Sequence, residues 1–229
     1  MFSQVDDGST KIKSEVLDTI SYEVKESLTS IIGFSNIIKN SCSDSKQSEQ
    51  INKVLISSEK LLEFANNISD FSKLIAGKYE TNCYTFSTEK LLNEIVNSFE
   101  SIARMKGIDL KSNISEVKIK NDYQMTSQIV YGLMNYLIKL SFEGSFIFIQ
   151  NIVTTKGVLI EIESDIKNFT TQKITPNLNE ILQSEDSCCE NLEFYLTNHL
   201  ITLLEGQILC SELENNSIKI QLYIPNKIA

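Results

Sequence analysis

Few side chains in this chain can do chemistry. His199 is the sole histidine among 229 residues, and Arg104 is the sole arginine. One guanidinium is a poor basis for bidentate phosphate recognition. Cys42, Cys83, Cys188, Cys189 and Cys210 are odd in number and irregularly spaced, which fits neither a disulfide framework nor a zinc site. The neighbours Cys188 and Cys189 read as reduced thiols in a loop. Tyr22 stands in the run 17–35, with Glu23, Lys25 and Glu26 around it. An ordinary phenol has a pKa of about 10 and stays protonated near neutrality.

The elements that must position these groups show in the apolar spacing. Ile12, Val16, Ile20, Val24, Leu28, Ile31, Phe34 and Ile38 recur every three to four residues, which predicts a long helix over 11–40. Residues 41–45 are a polar break. A second helix is expected over 47–75, with Ile51, Val54, Leu55, Leu61, Leu62, Ala65, Ile68, Phe71 and Leu74 on one side. Two long helices and a short link make an antiparallel hairpin. A lone hairpin cannot bury two such stripes, so pairing into a dimeric four-helix bundle through residues 11–75 is the physical default. Residues 1–10 are expected to be a flexible N-terminus.

After a linker at 76–80 the pattern changes. Strands are expected at 84–86, 108–113, 116–120, 146–149, 158–162, 207–213 and 217–224, and helices at 88–105, 123–141 and 190–204. The runs 146–149 and 158–162 should pair across 154–157, and the last two strands should turn at Glu214, Asn215 and Asn216. Helices on one face of a mixed sheet give an α/β sandwich over 81–229, so the whole chain is α+β, with a helical hairpin over 11–76. The polar stretch 164–189 has no assigned element.

The bulk composition excludes other classes. A formal net charge of −9 argues against nucleic-acid binding, which needs clustered Lys and Arg. No run approaches the ~18 apolar residues of a membrane span. Residues 1–8 lack a basic region followed by an apolar stretch, so no signal peptide is expected, and a cytoplasmic location follows.

Several motifs together resemble the core of sensor histidine kinases. Residues 17–35, above all Leu28 to Ser35 (Leu-Thr-Ser-Ile-Ile-Gly-Phe-Ser), are similar to the family's phosphoacceptor helix, and Tyr22 takes the histidine position. Residues 68–78 are similar to the end of the second dimerisation helix and its link onward. Met105 to Leu110 and the segment from Asp122 to Ile129 look like later landmarks in the right order. The resemblance covers about residues 15–225. It implies a dimerisation and phosphotransfer hairpin, then an ATP-binding domain of the histidine kinase ATPase (Bergerat) type.

The departures from the pattern fall on the chemistry. The box that normally holds magnesium and the ATP phosphates maps to 128–139, where Gly132 and Tyr136 take the two asparagine positions. Asn135 is one residue off, a turn of ~100° on a helix. Lys139 fits the pattern alone. Ser164 aligns with the aspartate that reads adenine, while Ile166 and Asn168 align with glycines. A register slip of one would let Asp165 serve, without a following glycine. Glu193 stands where a glycine amide would face the triphosphate, which replaces an N–H contact with like-charge repulsion. A phosphatase of this family needs Thr, Asn or Gln one turn after the phosphoacceptor, and Glu26 is there. His199 falls in the third sandwich helix, read as an ordinary surface or half-buried histidine.

The resemblance with these losses implies a non-catalytic relative, with no catalytic residue, no metal and no retained ATP binding. Its expected role is docking or regulation in a phosphorelay, through binding of a receiver domain or a partner histidine kinase near Tyr22, Glu23, Lys25 and Glu26. Asn135, Tyr136, Lys139, Ser164, Asp165 and Glu193 mark the altered nucleotide pocket. The alternatives are a residual kinase or phosphotransferase with a non-standard site, and a small-ligand sensor using the vacated pocket.

Overall fold

A computed structural model describes residues 5–41, 44–165, 192–213 and 217–227. The chain divides into two compact units, residues 1–80 and 81–229.

The first unit is a helical hairpin of α1 (Val5–Ser41) and α2 (Ser45–Ile75). The helix expected from residue 11 thus begins at Val5, inside the expected flexible N-terminus. Asp44 caps α2, its carboxylate accepting from the Lys46 and Gln47 amides at 2.7 and 3.2 Å. The helices meet along a seam the apolar pattern did not reveal. Ser14, Ser21, Leu28 and Ser35, one per heptad, are buried on α1, as are Leu55, Ser58, Ala65 and Ser72 on α2. Ser72 Oγ donates to the Ser14 carbonyl at 2.7 Å, which sets an antiparallel register with Ser21 opposite Ala65 and Leu28 opposite Ser58. Small side chains let two backbones approach closely, so the seam closes on serine and alanine. Of the α1 stripe, Leu28 is buried, while Val16, Ile20, Val24, Ile31, Phe34 and Ile38 stay exposed on the single chain.

The second unit contains β1 (Cys83–Ser87), α3 (Thr88–Lys106), β2 (Asp109–Asn113), β3 (Lys118–Asp122), α4 (Tyr123–Leu140), β4 (Phe146–Thr154) and β5 (Gly157–Asp165). It ends with α5 (Leu192–Leu203), β6 (Gln207–Glu212) and β7 (Ser217–Pro225). The main sheet has the order β2-β4-β5-β7-β6, with β2 parallel to β4 and the other pairs antiparallel. β4 and β5 pair across the expected turn. The expected turn at 214–216 and nearly all of 164–189 lie outside the described residues.

Strand alternation sends one side chain in two into the core. Ile147, Ile149, Ile160, Ile162, Ile220, Leu222 and Ile224 are buried, together with Leu91, Leu92, Phe99, Ile129, Leu133, Leu137, Leu196 and Leu200 of the three helices. Gly157 lets β5 lie close to β7, since a Cβ there would sit 2.2 Å from the Ile224 carbonyl oxygen. The strand expected at 116–120 forms two residues later. Val117 instead accepts the Thr88 amide and hydroxyl, and Asp122 runs on to cap α4, accepting from the Met125 amide at 2.9 Å. β1 and β3 form a separate antiparallel ribbon.

The sheet's other face carries a polar row. Glu161 is only 5% exposed, and Gln150 and Gln221 donate to its carboxylate at 2.8 and 2.6 Å. Lys219 lies 3.8 Å from Glu161 and 2.7 Å from Glu163. Burial by itself would raise the Glu161 pKa. The two amide donors and the Lys219 charge outweigh burial and hold it below the ordinary 4.5. Because the folded pKa is depressed, this contribution to stability is full above the unfolded value and is lost as pH falls through the folded one. Glu161→Gln should therefore lower stability at neutral pH and flatten its decline between about pH 5 and 3. Urea denaturation across that range measures both, and an unchanged acid slope would refute the assignment.

Candidate functional site

On α1, Tyr22 is 69% exposed, and Glu23 and Glu26 are exposed while Lys25 is half-buried. One residue before it, Ser21 is 1% exposed and faces the seam. The apolar stripe runs through Ile20 and Val24, each two residues from Tyr22. Two residues turn a helix by ~200°, so Tyr22 and the stripe lie on opposite flanks of α1. The next turn holds itself to its own backbone. Ser27 Oγ donates to the Glu23 carbonyl at 3.0 Å, Thr29 Oγ1 to Lys25 at 2.7 Å and Ser30 Oγ to Glu26 at 3.1 Å. These bonds occupy the hydroxyls beside Tyr22 and leave its phenol as the large side chain on that flank.

In the second unit the pleat of β5 decides between Ser164 and Asp165. Ser164 pairs with Ile147 and Ile218 in the row that faces the helices, and it is fully buried. Its hydroxyl lies 3.4 Å from that of Ser141, which ends α4, and donates to the Asp165 carbonyl at 3.2 Å. Asp165 falls on the opposite face, where its carboxylate accepts from Ser217 Oγ at 2.6 Å. The register slip that would bring Asp165 inward does not occur, because the pairing with β4 and β7 runs without a bulge.

α4 carries the other candidates. Tyr136 is half-buried, as is Asn135, while Lys139 is exposed. Burial and the neighbouring Cys210 thiol raise the Tyr136 pKa, and burial pushes the Cys210 thiol up to about 11. Both groups therefore stay protonated and neutral at physiological pH. Glu193 is the second residue of α5, and its side chain lies outside what the structure describes. Among the described residues, no cluster of three or more histidine, cysteine, aspartate or glutamate side chains is placed to hold a metal ion. No helix among them is long and apolar enough to cross a membrane.

Sequence reasoning missed the Ser141–Ser164 contact and the link from Asp165 to Ser217. Both are cross-element contacts that no local spacing marks. The serine heptad at 14, 21 and 35 was visible in the sequence as a period of seven.

Comparison with known proteins agrees with this architecture. Residues 12–77 match the His Kinase A (phospho-acceptor) domain family. The chain is 24% identical over 228 residues, 95% of its length, to the autoinducer 2 sensor kinase/phosphatase LuxQ of Vibrio cholerae, of which the match covers 27%. It is 28% identical over 163 residues, 70% of the chain, to the signal transduction histidine-protein kinase BarA of Escherichia coli, of which 18% is covered. The chain thus spans about a quarter or less of these relatives' length. Among solved structures, full-length ShkA in complex with AMPPNP superposes with a TM-score of 0.72 at 18% identity, covering 94% of this chain and 46% of that one. The catalytic domain of the histidine kinase ThkA superposes with a TM-score of 0.55 at 18% identity, over 63% of this chain and 97% of that domain.

Proposed function

On the premise that this chain has the core architecture of a histidine kinase of two-component signalling, its residues 12–77 matching the His Kinase A domain family, we propose that it acts by docking without catalysis. A receiver domain or a partner histidine kinase binds the flank of α1 around Tyr22, and the apolar stripe pairs two copies of the hairpin. The observation that carries this reading is the separation of the two surfaces. Tyr22 lies away from the stripe and is 69% exposed, so neither hairpin packing nor dimerisation through the stripe requires it. A tyrosine offers an apolar ring and one hydroxyl, a pairing common at protein interfaces. Its hydroxyl can donate to a carboxylate in a receiver's acidic pocket, with Lys25 in the following turn and Glu23 and Glu26 limiting which partners fit.

The nucleotide side supports the same reading. ATP would need an inward carboxylate on β5, and Ser164 takes that place while Asp165 is turned away. Magnesium would need an oxygen donor from α4, and the half-buried, neutral Tyr136 stands where the resemblance puts that donor. Both placements support a reading without Mg-ATP binding.

The test is binding of purified receiver domains and kinase cores from the same cell, measured by surface plasmon resonance. At least one should bind with micromolar affinity. Tyr22→Ala should weaken it at least tenfold, the loss expected for an interface tyrosine that carries binding energy. Its melting temperature should stay unchanged, because the side chain is exposed. Equal binding by wild type and variant, or no partner tighter than millimolar, would sink the proposal.

A further inference from the structure

Among the described residues, the β1–β3 ribbon leaves one backbone edge open. The Thr88 amide donates to the Val117 carbonyl at 2.8 Å, continuing the ladder in which Phe86 faces Ile119 and Tyr84 faces Asn121. In an antiparallel pair, hydrogen-bonded and non-bonded pairs alternate. The pairs 84–121 and 86–119 therefore exchange bonds, and the pairs 83–122 and 85–120 do not. The backbone groups of Cys83, Thr85, Lys120 and Asp122 consequently point outward. On the β3 side the outward groups are satisfied, since the Lys120 amide donates to Asn226 Oδ1 and the Lys120 carbonyl accepts from the Lys227 amide, each at 2.8 Å. On the β1 side, no backbone partner for Cys83 or Thr85 exists among the described residues.

Beside that edge lies an aromatic and acidic cluster. Tyr84 is 45% exposed and stacks on Tyr123, with ring centroids 6.3 Å apart. Phe86 meets Tyr123 edge-on at 5.4 Å. Tyr123 donates its hydroxyl to Glu94 Oε2 at 2.6 Å, and that bond, before burial, pushes its pKa up to about 12. Glu94 is exposed and makes no ion pair among the described residues. Lys118 and Lys120 pair with Ser87 and Thr85, which places them on the ribbon's other face. The tyrosine face thus offers two π-surfaces and a carboxylate.

We propose that the open edge of β1 and the Tyr84–Tyr123–Glu94 cluster together bind an extended segment of another protein, with an arginine or lysine set over Tyr84 beside Glu94. The edge supplies up to four main-chain hydrogen bonds, the mode of strand addition. The rings and the carboxylate select a cation. Pairing of β1 with the β1 of a second copy is not the occupant, because β1 is Cys-Tyr-Thr-Phe-Ser and brings no cation to the cluster. This site lies in the second unit and is independent of the Tyr22 surface.

A fluorescent peptide alternating valine and arginine, and the same peptide with glutamate for arginine, provide the probes. Fluorescence anisotropy should show the arginine peptide binding at tens of micromolar and the glutamate peptide not binding. Thr85→Pro removes one outward donor and no ribbon bond, a place where an edge strand tolerates proline. It should weaken binding about fivefold. Tyr84→Ala should weaken binding about three- to tenfold. An arginine peptide N-methylated at alternate amides keeps its charge but cannot pair, and it should lose binding to the unmodified protein. The proposal is overturned if the arginine peptide fails to bind, if N-methylation has no effect, or if correctly folded variants bind as wild type does. That last result would indicate general attraction to an acidic protein.

Discussion

Calorimetric titration with Mg-ATP should give no saturable heat below roughly millimolar nucleotide, and Tyr22→His should not make the protein label itself from ATP. A micromolar nucleotide site is worth about 8 kcal/mol of binding. Hydrogen bonds to charged groups contribute about 1.5–3 kcal/mol each. By the resemblance, Ser164 stands in place of an inward carboxylate and Tyr136 in place of a magnesium-side amide, and on the docking proposal two such sets are missing. Asp165 cannot substitute, because it points to the opposite face and is bonded to Ser217 at 2.6 Å. Turning it inward would shift the β5 register and move Ile160 and Ile162 out of the core. On the docking proposal, placing an imidazole at 22 therefore supplies an acceptor without a donor. Saturable binding tighter than about 100 µM, with label appearing on Tyr22→His, would overturn the docking proposal in favour of a residual enzyme. Nucleotide binding without transfer would favour a ligand sensor.

The second large effect concerns assembly. Wild-type protein should sediment as a dimer, about twice the 25.9 kDa chain, and Ile20→Glu combined with Phe34→Glu should convert it to monomer at micromolar concentration. Both positions are exposed on the single chain, Phe34 at 67%, so the substitutions leave each hairpin's own seam intact. In a two-fold dimer every substitution occurs twice, so four carboxylates would enter an apolar interface. An unpaired buried charge costs several kcal/mol, well beyond what a micromolar dimer tolerates. Tyr22→Glu, on the opposite flank, should leave the dimer in place. A monomeric wild type, or a double variant that stays dimeric, would remove the stripe as the pairing surface.

Much of this was legible locally. The three-to-four spacing from Val16 to Ile38 marks α1, and the alternation through Ile160 and Ile162 marks β5, because each period follows from a residue's own backbone geometry. The lack of a histidine anywhere before His199 needs no structure at all. The edges of elements were less legible. Val117 was expected inside a strand, yet its carbonyl caps the ladder at Thr88, a bond between residues far apart in the chain. The hairpin seam was legible only as a serine period of seven, which hydrophobic spacing does not pick out. Large apolar residues drew the eye to a stripe, while the helices close on Ser14, Ser21, Ala65 and Ser72, whose value is their small size and not their hydrophobicity.

The sequence by itself determined the order of elements, the apolar stripe on α1 and a tyrosine at position 22, where the resemblance places a phosphoacceptor. Tertiary structure decided which side each neighbouring residue takes. Ser164 and Asp165 are adjacent and both polar, and only pairing with β4 and β7 sends one to the helices and the other away. Cys83 and Tyr84 likewise differ only through the ladder with β3, which points the backbone of the first outward and binds that of the second. The physical reason is that periodicity is a property of one segment, whereas facing and register are set by the partner it packs against.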